Sequence, residues 1–138
     1  TGETPSFRLT VEGSQRPLHV LVSEEVLRIA EEAIRNAIQH AGAKTIEAAL
    51  THGRQYLRLA IRDDGAGISE TILKAGRREG HYGLVGMRER AEQIGGRLAL
   101  TSRPAAGTVL TLVVPARTAY RHDRVRLLDR LRGMIARR

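Results

Sequence analysis

The sequence predicts an α+β fold: a mixed β-sheet with helices packed on one face. Two observations carry this. Five short runs of alternating or β-branched residues are interleaved with two segments of helical period, in an order that lacks regular strand–helix alternation and shows no internal repeat. The composition, 41% hydrophobic and 28% charged over 138 residues, is that of one soluble domain large enough to bury a core.

Ser6 to Val11 alternates apolar and polar residues as a half-buried strand does, and Gly13 ends it, so an edge or hairpin strand is expected. Ser23, followed by Glu24 and Glu25, reads as the N-cap of a helix running to about Ala41, where Gly42 offers a stop. Leu27, Ala30, Ile34, Ile38 and Ala41 recur at helical spacing, which predicts that this stripe faces the core. Thr45 to Leu50 and Tyr56 to Ile61 form a hairpin across His52 to Gln55. Asp63 to Gly80, rich in glycine and charge, reads as a mobile loop. Leu84 to Ile94 is helical and stops at Gly95-Gly96. Arg97 to Thr101 and Thr108 to Val114 then pair across Pro104 to Gly107, and Pro115 ends the second strand.

Composition excludes several functions. With no cysteine there is no disulfide, thiolate–zinc site or thiol catalysis. No apolar run reaches the roughly 18 residues of a spanning helix, and Thr1 to Thr10 lacks a signal pattern, so a cytoplasmic domain is expected. The net charge of +8 is local: eight Arg stand against Asp123 and Asp129 between Arg117 and Arg138, and the body is nearly neutral. With one Phe, three Tyr and no Trp, stacking platforms for bases are lacking, and no nucleic-acid partner is expected.

Three places carry chemistry. Glu32, Asn36 and His40 recur every four residues on the first helix, as a polar stripe roughly opposite the apolar one. Asn is a poor residue for a helix interior, and its carboxamide oxygen suits a hard cation such as Mg²⁺. Asp63-Asp64-Gly65-Ala66-Gly67-Ile68 follows a strand; its glycines allow close approach of backbone to a ligand, and Asp63 can accept a hydrogen bond from an exocyclic amine such as that of adenine. Gly80-His81-Tyr82-Gly83-Leu84-Val85-Gly86 leads into a helix N-terminus, where free amides and the helix dipole favour phosphate.

In this order the segments resemble the ATP-binding domain shared by histidine kinases, gyrase-type ATPases and their relatives, the GHKL superfamily with its Bergerat-type α/β sandwich. Arg28 to Ala41 resembles the N box, Asp63 to Ile68 the first glycine box, and Gly83-Leu84-Val85-Gly86-Met87-Arg88-Glu89-Arg90 the second, with Gly107-Thr108 closing the template. The Gly-Leu-Val-Gly-Met-Arg-Glu-Arg string and the missing F box look most like sensor kinases that partner NarL-type response regulators. The resemblance implies ATP and Mg²⁺ as ligands. Asn36 then ligates the metal, with Glu32 as a polarising carboxylate and His40 near the phosphates. Asp63, Gly65, Gly67, Ile68 and Thr108 form the adenine site, Gly83, Leu84, Val85 and Gly86 cap the phosphates, and Ser69 to Tyr82 is an ATP lid. Two positions depart from the pattern. Gln39 stands where a basic residue is usual, which passes that phosphate contact to His40 or a lid Arg, and His81 stands where many relatives carry glycine.

The family's acceptor histidine lies on a separate dimerising hairpin. Only six residues precede Phe7, and none of His19, His40, His52, His81 or His122 stands in that acceptor context, so the chain is expected to be part of a longer, membrane-anchored protein carrying the acceptor domain. The domain is expected to span 1–121, followed by a basic tail at 122–138. In the tail, Leu127, Leu128, Leu131, Met134 and Ile135 line one face of a helix and Arg124, Arg126, Arg130, Arg132 and Arg137 the other. Packing of this helix on the domain is favoured over contact with an anionic membrane. Within the superfamily, a serine kinase of the anti-sigma-factor type or a nucleotide-binding regulatory module without activity are the alternatives.

Overall fold

The computed structural model describes residues 4–69, 71, 83–121 and 131–136. Among these residues the elements follow in the order β1 (Ser6–Gly13), α1 (Val20–Gln39), β2 (Thr45–His52), β3 (Tyr56–Asp63), α2 (Leu84–Gln93), β4 (Arg97–Arg103), β5 (Gly107–Pro115) and α3 (Ala116–Ala119), with a further helical stretch at 131–136. The five strands form one mixed sheet ordered β1-β2-β3-β5-β4, parallel only between β1 and β2. The expected α+β class and both hairpins are present. β1 is an edge strand, and it reaches its neighbour through α1 rather than through a hairpin.

Alternation sets the core. In β3, Leu57, Leu59 and Ile61 are buried between exposed neighbours, and in β5 Leu110, Leu112 and Val114 are buried opposite them. Against this face pack Val22, Ile29, Ala33 and Ala37 of α1 and Leu84, Met87 and Ala91 of α2.

Three expectations about α1 need correction. The helix begins at Val20, and its N-cap is His19, whose Nδ1 accepts from the Leu21 amide, not Ser23. The start is set by distant partners: the His19 amide donates to the Ala119 carbonyl, and Leu18 bridges to Tyr120. Only part of the expected apolar stripe meets the core: Ala30 and Ile34 are partly buried against it, while Leu27 is 59% and Ile38 48% exposed. α1 is apolar over a wide arc, and helical spacing alone does not say which part of it meets the sheet. The stripe through Glu32, Asn36 and His40 is not opposite the core: Asn36 is buried on the core side, only 8% exposed, while Glu32 is half-buried and His40 exposed.

The end of the sheet away from Asp63 is closed by Tyr120. This fully buried ring lies under the Arg16 guanidinium at 3.9 Å and beside His52. No described helix is long and apolar enough to cross a membrane. The lid expected at Ser69 to Tyr82 lies outside the described residues apart from Ser69 and Thr71; so do His81 and residues 122–130 of the tail, while 131–136 is helical.

Ile29→Ala, which empties a completely buried site, is expected to lower unfolding free energy by about 2–5 kcal/mol. Leu27→Ala on the same helix should change it by about 0.5 kcal/mol or less. Urea denaturation of both variants reads the difference, and equal losses would restore Leu27 to the core.

Candidate functional site

β3 and β5 each carry a core-facing polar residue at the same end of the sheet. Asp63 is the last inward position of β3, and Thr108, its register partner, is the first polar inward position of β5. Asn36 reaches the same place from α1. These three are the buried polar side chains among the described residues, and all line one cleft. Ala33, Ile61, Met87, Leu100 and Leu110 form its apolar walls; Ile68 and Leu84 also line it, with Gly67 and His40 at its margin.

Local hydrogen bonds hold the cleft open. Asp63 Oδ1 accepts from the Gly65 amide at 2.8 Å. Ser102 Oγ accepts from the Ile68 amide at 2.6 Å and lies 2.8 Å from Thr108 Oγ1, tying the first glycine box to β4 and β5. Gly67 has φ +78°, and a Cβ there would collide with the Arg103 carbonyl, so the fold itself requires this glycine. Asp64 points elsewhere: its Oδ1 accepts from the Lys44 and Thr45 amides at 2.8 and 2.9 Å, clasping the end of β3 to the start of β2.

The two aspartates therefore titrate in opposite directions. Burial is the main cause that pushes Asp63 above the usual carboxylate range, against the Gly65 hydrogen bond and with help from the Asp64 charge. The Thr45 hydrogen bonds hold Asp64 below that range.

Met87 also lines a second, polar cavity, together with Arg28, Glu31, Glu32, Arg35, Gly83, Gly86 and Arg90. Gly83 caps α2 at φ +67°, and a Cβ there would lie 2.5 Å from Glu32 Oε1, so glycine lets the start of α2 approach α1. Gly83 itself makes no side-chain cap to that helix end, and the first amides of a helix attract an anion. Arg35 pairs with Glu32 at 2.8 Å and Arg90 with Glu25 at 3.0 Å.

The structure thus brings together Asn36, His40, Asp63, Gly67, Ile68, Leu84 and Thr108 in the cleft, and Glu32, Gly83 and Gly86 in the polar cavity. Gly65 and Val85 line neither. Sequence reasoning missed Ser102, the apolar walls, and the arginines Arg28, Arg35 and Arg90. The alternation that placed Ile61 and Leu110 inward was the available signal for the walls.

An apolar slot with a buried carboxylate, near a helix N-terminus and arginines, suits a purine with a phosphate tail. The pattern defining the histidine kinase-, DNA gyrase B- and HSP90-like ATPases matches residues 22–118. The chain belongs to this family. In this ATPase family the ligand of the domain is ATP. A signal transduction histidine-protein kinase/phosphatase, DegS of Brevibacillus brevis, is 30% identical over 118 residues, covering 86% of this chain and 29% of that protein. The nitrate/nitrite sensor protein NarX of Escherichia coli K12 is 31% identical over 94 residues, 67% of this chain and 15% of its own length. The chain thus spans less than a third of these curated relatives. Among solved structures, the ATP-binding domain of PrrB from Mycobacterium tuberculosis aligns with TM-score 0.63 and 26% identity over 81% of this chain and 82% of that one. A blue-light activated histidine kinase of Erythrobacter litoralis, at TM-score 0.67 and 22% identity over 81% of this chain and 36% of its own, shares the fold.

The opposite shifts set opposite pH signatures. Asp63 has its folded pKa above the unfolded one, so the folded state binds more protons and this group's contribution to stability falls as pH rises through the acid range. Asp63→Asn, which keeps an acceptor for Gly65, should leave the melting temperature at pH 7 unchanged or raised. Asp64 has the reverse order, contributing stability at neutral pH that is lost as pH falls through its lowered value. Asp64→Asn should melt earlier at pH 7, with the gap to wild type narrowing below the ordinary carboxylate range. Thermal melts of both variants between pH 3 and 7 check the signs.

Proposed function

We propose that this chain is the ATP-binding catalytic domain of a sensor histidine kinase, delivering the γ-phosphoryl group of ATP to a histidine on the dimerisation domain of the same parent protein. The convergence of Asn36, Asp63 and Thr108, the buried polar side chains among the described residues, on one cleft carries the reading. The relatives named as histidine kinases select this branch of the family.

In this reading the adenine lies between Ala33, Ile61, Met87 and Leu110, with its exocyclic amine on Asp63. Thr108, held by Ser102, supports the ring edge. The phosphates extend past Leu84 to the first amides of α2, where Arg28, Arg35 and Arg90 supply the positive charge that Gln39 does not.

The donor set fits Mg²⁺. Among the described residues no three His, Cys, Asp or Glu side chains gather as a metal cage. Mg²⁺ uses few protein ligands, taking oxygens from phosphates and water for the rest. Asn36 offers the carboxamide oxygen, and Glu32 stands one turn earlier. When bound, the ion neutralises charge developing on the phosphate oxygens.

Transfer forms a bond from the acceptor imidazole nitrogen to the γ-phosphorus as the bond to the β–γ bridging oxygen breaks, and ADP leaves. The domain's contribution is positioning and electrostatic stabilisation, with Glu32 polarising the incoming imidazole. The phosphoryl group then passes to a response regulator, of the NarL type by resemblance. The domain works in the cytoplasm, where ATP is supplied, on a membrane-anchored parent.

Calorimetric titration of the chain with a non-hydrolysable ATP analogue should show heat that depends on Mg²⁺. Asn36→Ala should weaken the Mg²⁺-dependent affinity about tenfold or more, near 1.4 kcal/mol; absence of any binding heat refutes the reading. With the acceptor domain added, the phosphorylated product should be acid-labile and base-stable. An acid-stable product would mark the chain as a serine kinase of the same superfamily.

A further inference from the structure

An apolar corner stands open on the helix side of the sheet. Phe7, Leu9 and Val11 lie in register with Ile46, Ala48 and Leu50, and Ile46 and Ala48 are buried in the core. Paired residues project to the same face, so these three β1 side chains point toward the helix layer. They are nevertheless 52%, 61% and 41% exposed, and β1 is exposed along its whole length.

The second wall is α1. One of its flanks faces α2, through the Arg90–Glu25 ion pair and the approach of Gly83 to Glu32. α2 packs on β4, the edge strand at the far side of the sheet from β1. Helical spacing turns Leu27, Ile34 and Ile38 to the other flank, which faces β1, with exposed Glu24 and Glu31 along the outer rim.

We propose that this corner seats the chain's own C-terminal amphipathic helix. Residues 131–136 are helical, and Leu131, Met134 and Ile135 share one face at i, i+3 and i+4 and are exposed. Arg132, beside Leu131 at the flank of that face, complements the acidic rim of Glu24 and Glu31.

The path of the chain leads there. The Arg121 amide donates to the Pro17 carbonyl at 2.9 Å, and Leu18 bridges to Tyr120. Both contacts lie on the connection between β1 and α1, so the chain after Arg121 departs from the end of the corner. Residues 122–130 can span up to about 30 Å, enough to run the length of an eight-residue strand, about 26 Å. The seat is on the flank of α1 turned away from Glu32, so the docked helix braces α1 without entering the nucleotide cleft.

Because the chain has no cysteine, Arg138→Cys offers a single site for a nitroxide spin label. In the full chain, the label should broaden the methyl resonances of Leu9, Val11, Leu27 and Ile38. The effect should vanish when the label is reduced, be independent of protein concentration, and be lost in the labelled Leu131→Asp, Ile135→Asp double variant. ATP-analogue affinity should stay within twofold in that variant, which separates failure of this proposal from failure of the nucleotide site. Absence of broadening at these methyls overturns the proposal. Broadening that appears only when spin-labelled chain is mixed with isotope-labelled chain assigns the corner to a second copy and overturns it as well. Sedimentation with phosphatidylglycerol vesicles, without broadening in their absence, assigns the tail to a membrane and has the same consequence.

Discussion

The antiparallel pairing of β3 with β5 places Asp63 opposite Thr108, and the cleft that both line depends on that register. Side chains alternate strictly along a strand, so a slip by one residue would expose Leu57, Leu59 and Ile61 and turn Asp63 outward in the same step. The hydrophobic core and the proposed adenine site are thus set by one choice: the apolar run of each strand ends in a polar residue still facing inward. A slip that spared one would not spare the other.

Placing a carboxylate at an inward position carries a cost. Burial raises the pKa of Asp63, which means that the folded protein disfavours its charge. The Gly65 amide offsets part of this, and the neighbouring Asp64 does the clasping of β2 to β3 through the Lys44 and Thr45 amides. Two adjacent, chemically identical residues are thereby divided into one that stabilises the sheet end and one held ready for a ligand. Alternation makes the division, since consecutive side chains leave the strand on opposite faces.

α1 is used on three sides at once. Val22, Ile29, Ala33 and Ala37 join the core, Glu32 and Arg35 reach the polar cavity, and Leu27 and Ile38 remain open toward β1. Asn36 sits where the first two sides meet. That position explains how one residue can be buried among core neighbours and still line the cleft.

Much of this was legible in the sequence. Period-two and period-3.6 patterns located β2 to β5 and α2 to within a few residues, because alternation of polarity is a local property. The order of the motifs identified the family, and Asn36, Asp63 and Thr108, singled out from those motifs, lie together along one cleft. What the sequence did not reveal depended on distant partners. The start of α1 is fixed by Ala119 and Tyr120, roughly a hundred residues away. Which apolar arc of α1 meets the core, and hence that Asn36 lies on the core side, was decided by the sheet beneath it. The arginines of the polar cavity converge only when α1 and α2 pack. Local periodicity determines that a helix or strand has faces; only the packing of the elements together decides what each face meets.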